Sequence, residues 1–345
     1  MKQHLNTLFV TLEGAYLRKD GATVEVRHDG ESQLRVPLHN LDGIATFGWN
    51  TTVTTALMAA CGDAGVSLSY HSPHGKFLAS TTSGVSGNIV LRRSQYRASD
   101  EPVRALSISR NCIAAKIANS RNLLQRQLRD HPELGERPEL VNAVAQLKNR
   151  LGHVRSVSGH DSLRGIEGEA AKLWFGALAK LNRNSDHALQ MNGRSRRPPM
   201  DPVNALLSFV YVLLSHDCRS ACESVGLDPQ CGFFHKDRPG RHSLALDLME
   251  EFRPVLADRL VLTLLNRGQV SRRDFETKEN GAVILKPDSR KTVLTAWQER
   301  KRDEIVHPFL EEKTTIGLLP FIQARILARY LRGDLDAYPA MVWKS

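Results

Sequence analysis

The chain has 345 residues, 41% of them hydrophobic and 24% charged, a composition that supports a buried core in one large or two medium domains and excludes a disordered chain. Lysine and arginine number 47 against 37 acidic residues, a formal charge of +10, and arginine outnumbers lysine 33 to 14, which favours a polyanionic partner held by bidentate phosphate contacts. The opening Met1-Lys2-Gln3-His4 has no leader pattern, no apolar run approaches the roughly 18 residues of a membrane span, and five irregularly spaced cysteines make no disulfide scaffold, so a reduced cytoplasmic protein with no membrane segment is expected.

The first hundred residues read as short strands at Leu8–Val10, Ala15–Leu17, Thr23–Val26, Leu34–Leu38 and Gly43–Phe47. Asp20-Gly21 and Asp29-Gly30 supply turns between antiparallel neighbours. Val53, Leu57, Ala60 and Cys61 recur at helical spacing, which predicts a helix from Thr52 to Ala64 stopped by Gly65. Strands return at Val66–Tyr70 and Lys76–Ala79. Ser83-Gly84-Val85-Ser86-Gly87 has hinge composition, with the domain boundary between about residues 85 and 100. From Glu101 to Arg129 the pattern becomes one long amphipathic helix, and further helices are predicted over Leu140–Asn149, Leu163–Leu181, Pro202–Val225, Leu244–Arg267, Lys291–Arg302 and Pro320–Arg332. A short strand is expected at Ile284–Pro287. The fold class is therefore α+β, with a small β-rich domain over residues 1–95 and a larger all-α domain over residues 100–345.

Three segments are costly for an ordinary helical core. In Arg164-Gly165-Ile166-Glu167-Gly168-Glu169, two glycines flank Glu167 at what reads as a helix opening, where each costs about 1 kcal/mol against alanine. Close approach by a backbone or phosphate would explain them, as would a glutamate that simply complements the helix dipole. In Cys231-Gly232-Phe233-Phe234-His235 a histidine leaves an apolar stub and enters a basic turn. In Ser243–Pro254, Asp247, Glu250 and Glu251 fall at i, i+3 and i+4 and so repel on one face, where they are either neutralised by a divalent cation or left as an exposed acidic patch. Carboxylates with one histidine suit Mg²⁺ or Mn²⁺. The rival C-x3-C-x8-C-x3-H set of Cys218, Cys222, Cys231 and His235 lacks a tight zinc knuckle, and its first two cysteines fall inside a helix. Basic charge lies on the loop Gln190–Arg197 and on Arg92, Arg93, Arg110, Lys116, Arg121, Arg126 and Arg129, either as a track for a phosphate backbone or as a solvated helix face. No Walker A loop, Rossmann fingerprint, nucleophile elbow or zincin motif is present.

Four segments together, Arg164–Ala171, Pro199–Tyr211, Gly232–His235 and Ser243–Pro254, resemble the universal CRISPR-associated integrase, the endonuclease subunit of spacer acquisition, and most closely its type I-C version. The resemblance spans essentially the whole chain. It implies a Mg²⁺ or Mn²⁺ site made by Glu167, His235 and Glu250, with Asp247 as a further acidic position able to ligate directly or through water. Relatives often carry aspartate where this chain has Glu250, which leaves the choice between Asp247 and Glu250 open. It also implies 3′-OH attack on a repeat phosphodiester, with nuclease activity when water replaces the hydroxyl, on double-stranded and branched DNA. A homodimer through the β domains, joined to a small ferredoxin-like companion protein, is implied as well. For the tail, Leu335–Ser345, docking and simple packing stay equally open. Two other classes compete, an architectural DNA-binding protein whose carboxylates only cap helices, and a metal-dependent RNA nuclease.

Overall fold

The computed structural model describes residues 7–41, 43–72, 77–81, 89–191 and 193–343. Its β-rich part comprises β1 (Thr7–Val10), β2 (Tyr16–Asp20), β3 (Thr23–His28), β4 (Glu31–Pro37), β5 (Gly43–Phe47), β6 (Thr52–Val53), α1 (Thr55–Ala64), β7 (Ser67–His71) and β8 (Phe77–Thr81). The strands form two sheets, ordered β4-β3-β2-β6 and β1-β5-β7-β8. In the first, β4, β3 and β2 are antiparallel and β6 joins β2 in parallel. In the second, β1, β5 and β7 are parallel and β8 is antiparallel to β7. Asp29 and Gly30 both take left-handed angles, φ 51° and 80°, which matches the twist of the β3–β4 hairpin. The Thr54 hydroxyl caps α1 by accepting the Leu57 N–H, and left-handed Gly65 ends it. Leu17, Val24, Val26, Ile44, Leu57, Cys61 and Leu68 close a core between the sheets and α1.

The predicted hinge Ser83–Gly87 lies outside the described residues. The chain then runs mostly helical through α2 (Ile89–Asp100), α3 (Pro102–Asp130), α4 (Pro132–Gly135), α5 (Pro138–Val154), α6 (His160–Leu181), α7 (Pro202–Ser224), α8 (Ser243–Phe252) and α9 (Arg259–Asn266). A hairpin of β9 (Phe275–Thr277) and β10 (Val283–Leu285), α10 (Arg290–Arg302), a hairpin of β11 (Glu304–Val306) and β12 (Lys313–Thr315), and α11 (Leu319–Arg332) complete it. The long α3 is the central rod. Ile108, Cys112, Ile113, Ile117 and Leu124 are buried along it, and α5, α6 and α8 pack around it. Phe47 of β5 meets Phe209 of α7 with ring centroids 6.1 Å apart, so the second sheet leans on the helical layer.

Two differences from the sequence expectation bear on the site. The linker region contains α2, whose Gln95 amide donates to the Asp228 and Cys231 carbonyls at 2.8 Å each and whose Ser99 donates to the Gly232 carbonyl at 2.8 Å. It thereby fastens the loop that ends at His235. The single helix expected over Leu244–Arg267 is instead α8, a π-helical turn over Arg253–Asp258, and α9. Pro254 has no N–H to return to the Glu250 carbonyl, so the ladder widens there.

Candidate active site

Side chains from α3, α6 and α8 meet around Lys116, and the loop before α8 is tied to α8 through Asp247. Lys116 sits on the buried stripe of α3 and is 7% exposed. Its ammonium lies 2.5 Å from Glu167 Oε1 on α6 and 2.7 Å from Glu250 Oε2 on α8. The Arg253 guanidinium donates to both oxygens of Glu250, at 2.7 and 3.0 Å. Burial opposes ionisation of Glu250, but Arg253 and then Lys116 outweigh it and hold the carboxyl below its usual range.

His235 is fixed by Asp247. The carboxylate of Asp247 accepts the backbone N–H groups of Phe233, Phe234 and His235 at 2.6, 3.0 and 3.0 Å. Its Oδ1 lies 2.7 Å from His235 Nδ1. A carboxylate only accepts, so Nδ1 carries the proton and the Nε2 lone pair is left for another partner. Gly232 makes the wrap possible, because a Cβ there would lie 2.8 Å from Ser243 Cβ and 2.9 Å from Asp247 Oδ2. Beside His235 opens a cleft of about 460 Å³, whose lining includes His160, Ser162, Arg164, Phe234 and Lys236.

Glu167 and Glu250 are thus joined through the ammonium of Lys116, and His235 is joined to Asp247, one turn before Glu250 on α8. The acidic face of α8 is divided among these tasks, for Glu251 turns away to another set of partners. It accepts the Tyr338 hydroxyl at 2.6 Å, the Met341 N–H at 2.7 Å and the Gln323 amide at 3.0 Å. The tail is a packed terminus as far as it is described, laid along α3 by Asn111, Asn119 and Asn122, whose amides donate to the carbonyls of Tyr338, Met341 and Trp343.

Several expectations need correction. Glu167 is not in the opening turn of its helix, since α6 begins at His160. No atom outside the helix's own backbone lies within 4 Å of a Cβ built on Gly165 or Gly168, so no other backbone crowds them. Arg164 pairs with Asp161 and lies over the Phe234 ring at 6.0 Å. Lys116, read as part of a basic stripe, is buried between two acids. Arg194 is likewise tucked over Phe175 and Tyr211, at 5.6 and 5.5 Å, while Arg196 and Arg197 of the same loop stay exposed. Cys218 and Cys222 do lie inside a helix as expected, fully buried in α7, where burial pushes both thiols up.

Sequence reasoning missed Lys116 and Arg253 as members of the site. The available signal was a lysine set between Ile113 and Ile117 on an apolar stripe. Among the described residues no group of three or more His, Cys, Asp or Glu side chains stands ready to hold a metal ion. The donors nevertheless fit a hard divalent cation in kind, with two carboxylates and an imidazole. A cation, Lys116, already stands between the two carboxylates.

The family described as CRISPR associated protein Cas1 matches residues 8–299. The chain is 52% identical to a CRISPR-associated endonuclease Cas1 of Rhodospirillum rubrum and 49% identical to one of Chlorobaculum tepidum, in both cases over the full length of each chain. Its fold is that of a CAS1 protein from Thermotoga maritima, with TM-score 0.81, 20% identity and 99% of each chain covered. A casposase bound to its integration product has a TM-score of 0.82 at 24% identity, over 98% of this chain and 94% of the other.

Proposed function

The chain belongs to the Cas1 family of CRISPR-associated endonucleases, and from that premise we propose that it is a metal-dependent DNA integrase of the type I-C kind, joining the 3′-OH of a captured fragment to a repeat phosphodiester. The observation that carries the reading is the convergence of Glu167 and Glu250 on one cation, with His235 held through Nδ1 by Asp247 of the helix that bears Glu250. Glu167, Glu250 and His235 would hold Mg²⁺ or Mn²⁺. A divalent cation held there supplies polarisation of the scissile phosphate and offsets the charge that builds during phosphoryl transfer.

The protein's own groups prepare that chemistry. Arg253 keeps Glu250 ionised despite its burial. Asp247 fixes the tautomer and direction of His235, the usual work of a carboxylate behind a metal-binding imidazole. Arg164 and Lys236 put positive charge on the cleft wall beside His235, where a phosphate backbone would run. Exposed Arg196 and Arg197 extend that charge along the loop before α7. With water in place of the 3′-OH, the same arrangement cleaves.

The assembly belongs to the same reading. Leu12, Tyr16, Leu34 and Trp49 of the β-rich part are exposed, and a two-fold homodimer formed there would cover them. A solved Cas6-RT-Cas1–Cas2 complex contains a chain that shares this fold. By analogy, a small ferredoxin-like companion would complete the assembly here. No helix among the described residues is long and apolar enough to cross a membrane.

The test is incubation with branched and 3′-OH duplex DNA, with Mn²⁺ or with chelator, beside single-stranded RNA. Metal-dependent strand transfer on DNA supports the proposal. Binding without transfer or cleavage under any ion would favour an architectural protein, and faster turnover of RNA would favour an RNA nuclease.

A further inference from the structure

Lys116 has no surface role. It lies on the apolar stripe of α3, almost wholly buried, and its ammonium is held by Glu167 and Glu250. A buried ammonium is tolerated only with compensating charge, and here both compensating groups are the carboxylates assigned to the metal. With oxygens at 2.5 and 2.7 Å, the ammonium stands between the two carboxylates that would hold the divalent cation. Lys116 and the metal therefore compete for one position. Arg253 donates to both oxygens of Glu250 from the adjoining π-helical turn.

We infer that Lys116 is the resident counter-ion of this site, holding Glu167 and Glu250 together when no metal is present and releasing them when DNA phosphate offers its ammonium another anion. The inference rests on the reading of Glu167 and Glu250 as metal ligands. The lysine stem is flexible and ends in a compact charge that can exchange partners without a fixed geometry. Two consequences follow. Metal binding in the absence of DNA is weak, since an incoming divalent ion meets a positive charge already in place. DNA binding and metal binding strengthen each other by the same factor, since each removes the obstacle to the other. Lys116 is a positioning residue in this scheme, acting through the two carboxylates.

The experiment measures Mn²⁺ affinity by electron paramagnetic resonance of free Mn²⁺, for wild type, K116M and K116R, with and without a duplex whose 3′ ends are blocked. K116M should bind Mn²⁺ about tenfold or more tightly than wild type without DNA, because a unit charge close to the ion is gone. DNA should tighten Mn²⁺ binding to wild type by about tenfold and to K116M hardly at all. K116R keeps the charge and should resemble wild type. In chelator K116M should melt below wild type, and Mn²⁺ should close that gap. K116Q, which keeps a donor between the carboxylates, gives the same comparison in a variant less disruptive to the fold. Equal Mn²⁺ affinity in wild type and in folded K116M or K116Q overturns the inference alone. A wild type that binds no Mn²⁺ with or without DNA overturns the metal reading and the inference with it.

Discussion

Asp247 holds His235 at 2.7 Å through Nδ1 while the same carboxylate accepts three consecutive backbone N–H groups of the loop that carries the histidine. One side chain thus sets the path of the loop, the tautomer of the ring and the direction of its free nitrogen. Asp247→Asn would place an amide where four donors converge. Strand transfer should fall about 10–100-fold, the usual cost of losing the partner behind a metal-binding histidine. Activity at saturating Mn²⁺ checks this, with circular dichroism to show that the fold survives.

His235→Ala should remove most strand transfer and cleavage, because a ligand to a weakly held cation is lost. DNA affinity should stay close to wild type, since phosphate contacts come from the basic surface. Electrophoretic mobility shifts beside a transfer assay separate the two effects.

The arginines of the loop before α7 should divide by burial. Arg196→Ala and Arg197→Ala should weaken DNA binding across sequences, and each should lower the slope of log affinity against log salt by about 1. Arg194→Ala should act on stability instead. Its guanidinium lies over two rings and donates to Asn204 at 2.6 Å, so a loss of about 1–3 kcal/mol is expected in urea unfolding.

Acid stability should depend on His71, which stacks on Phe47 at 4.9 Å in the layer between the second sheet and α7. Burial, and then the charge of His216, lower its pKa to about 3. The unfolded chain takes up this proton near pH 6.5, while the folded chain refuses it until about pH 3. Folding is therefore not penalised above pH 6.5 and loses stability as pH falls through that window, by roughly 3 kcal/mol at pH 4. His71→Phe should flatten the acid limb of urea midpoints measured from pH 7 to pH 4.

The tail should matter to the site through Glu251. Tyr338→Phe removes one of the donors to a fully buried carboxylate, at an expected cost of about 1–3 kcal/mol. Glu250 and Glu251 are adjacent on α8, so the same change should also reduce strand transfer when tested well below the melting temperature.

Much of this was legible locally. Alternating Val24 and Val26, the Asp29-Gly30 turn and the Thr54-to-Gly65 helix are short-range patterns that tertiary contacts reinforce. Glu167, His235, Asp247 and Glu250 stood out because each breaks an apolar or helical pattern at a cost. What escaped was set by partners distant in sequence. Lys116 looks like any lysine on a helix until α6 and α8 bring two acids to it. Arg194 looks like its neighbours Arg196 and Arg197 until Phe175 and Tyr211 enclose it. The π-helical turn after Glu250 did have a local cause in Pro254, but the surrounding leucines carried the helical period straight through it.

The most direct measurement is anomalous diffraction from crystals grown with Mn²⁺ and a blocked DNA duplex. A single strong peak is expected within coordination distance of Glu167, Glu250 and His235 Nε2, at about 2.1 Å, with the Lys116 ammonium displaced from the two carboxylates toward a phosphate. A peak elsewhere, or none with Lys116 still bridging Glu167 and Glu250 beside bound DNA, would contradict it.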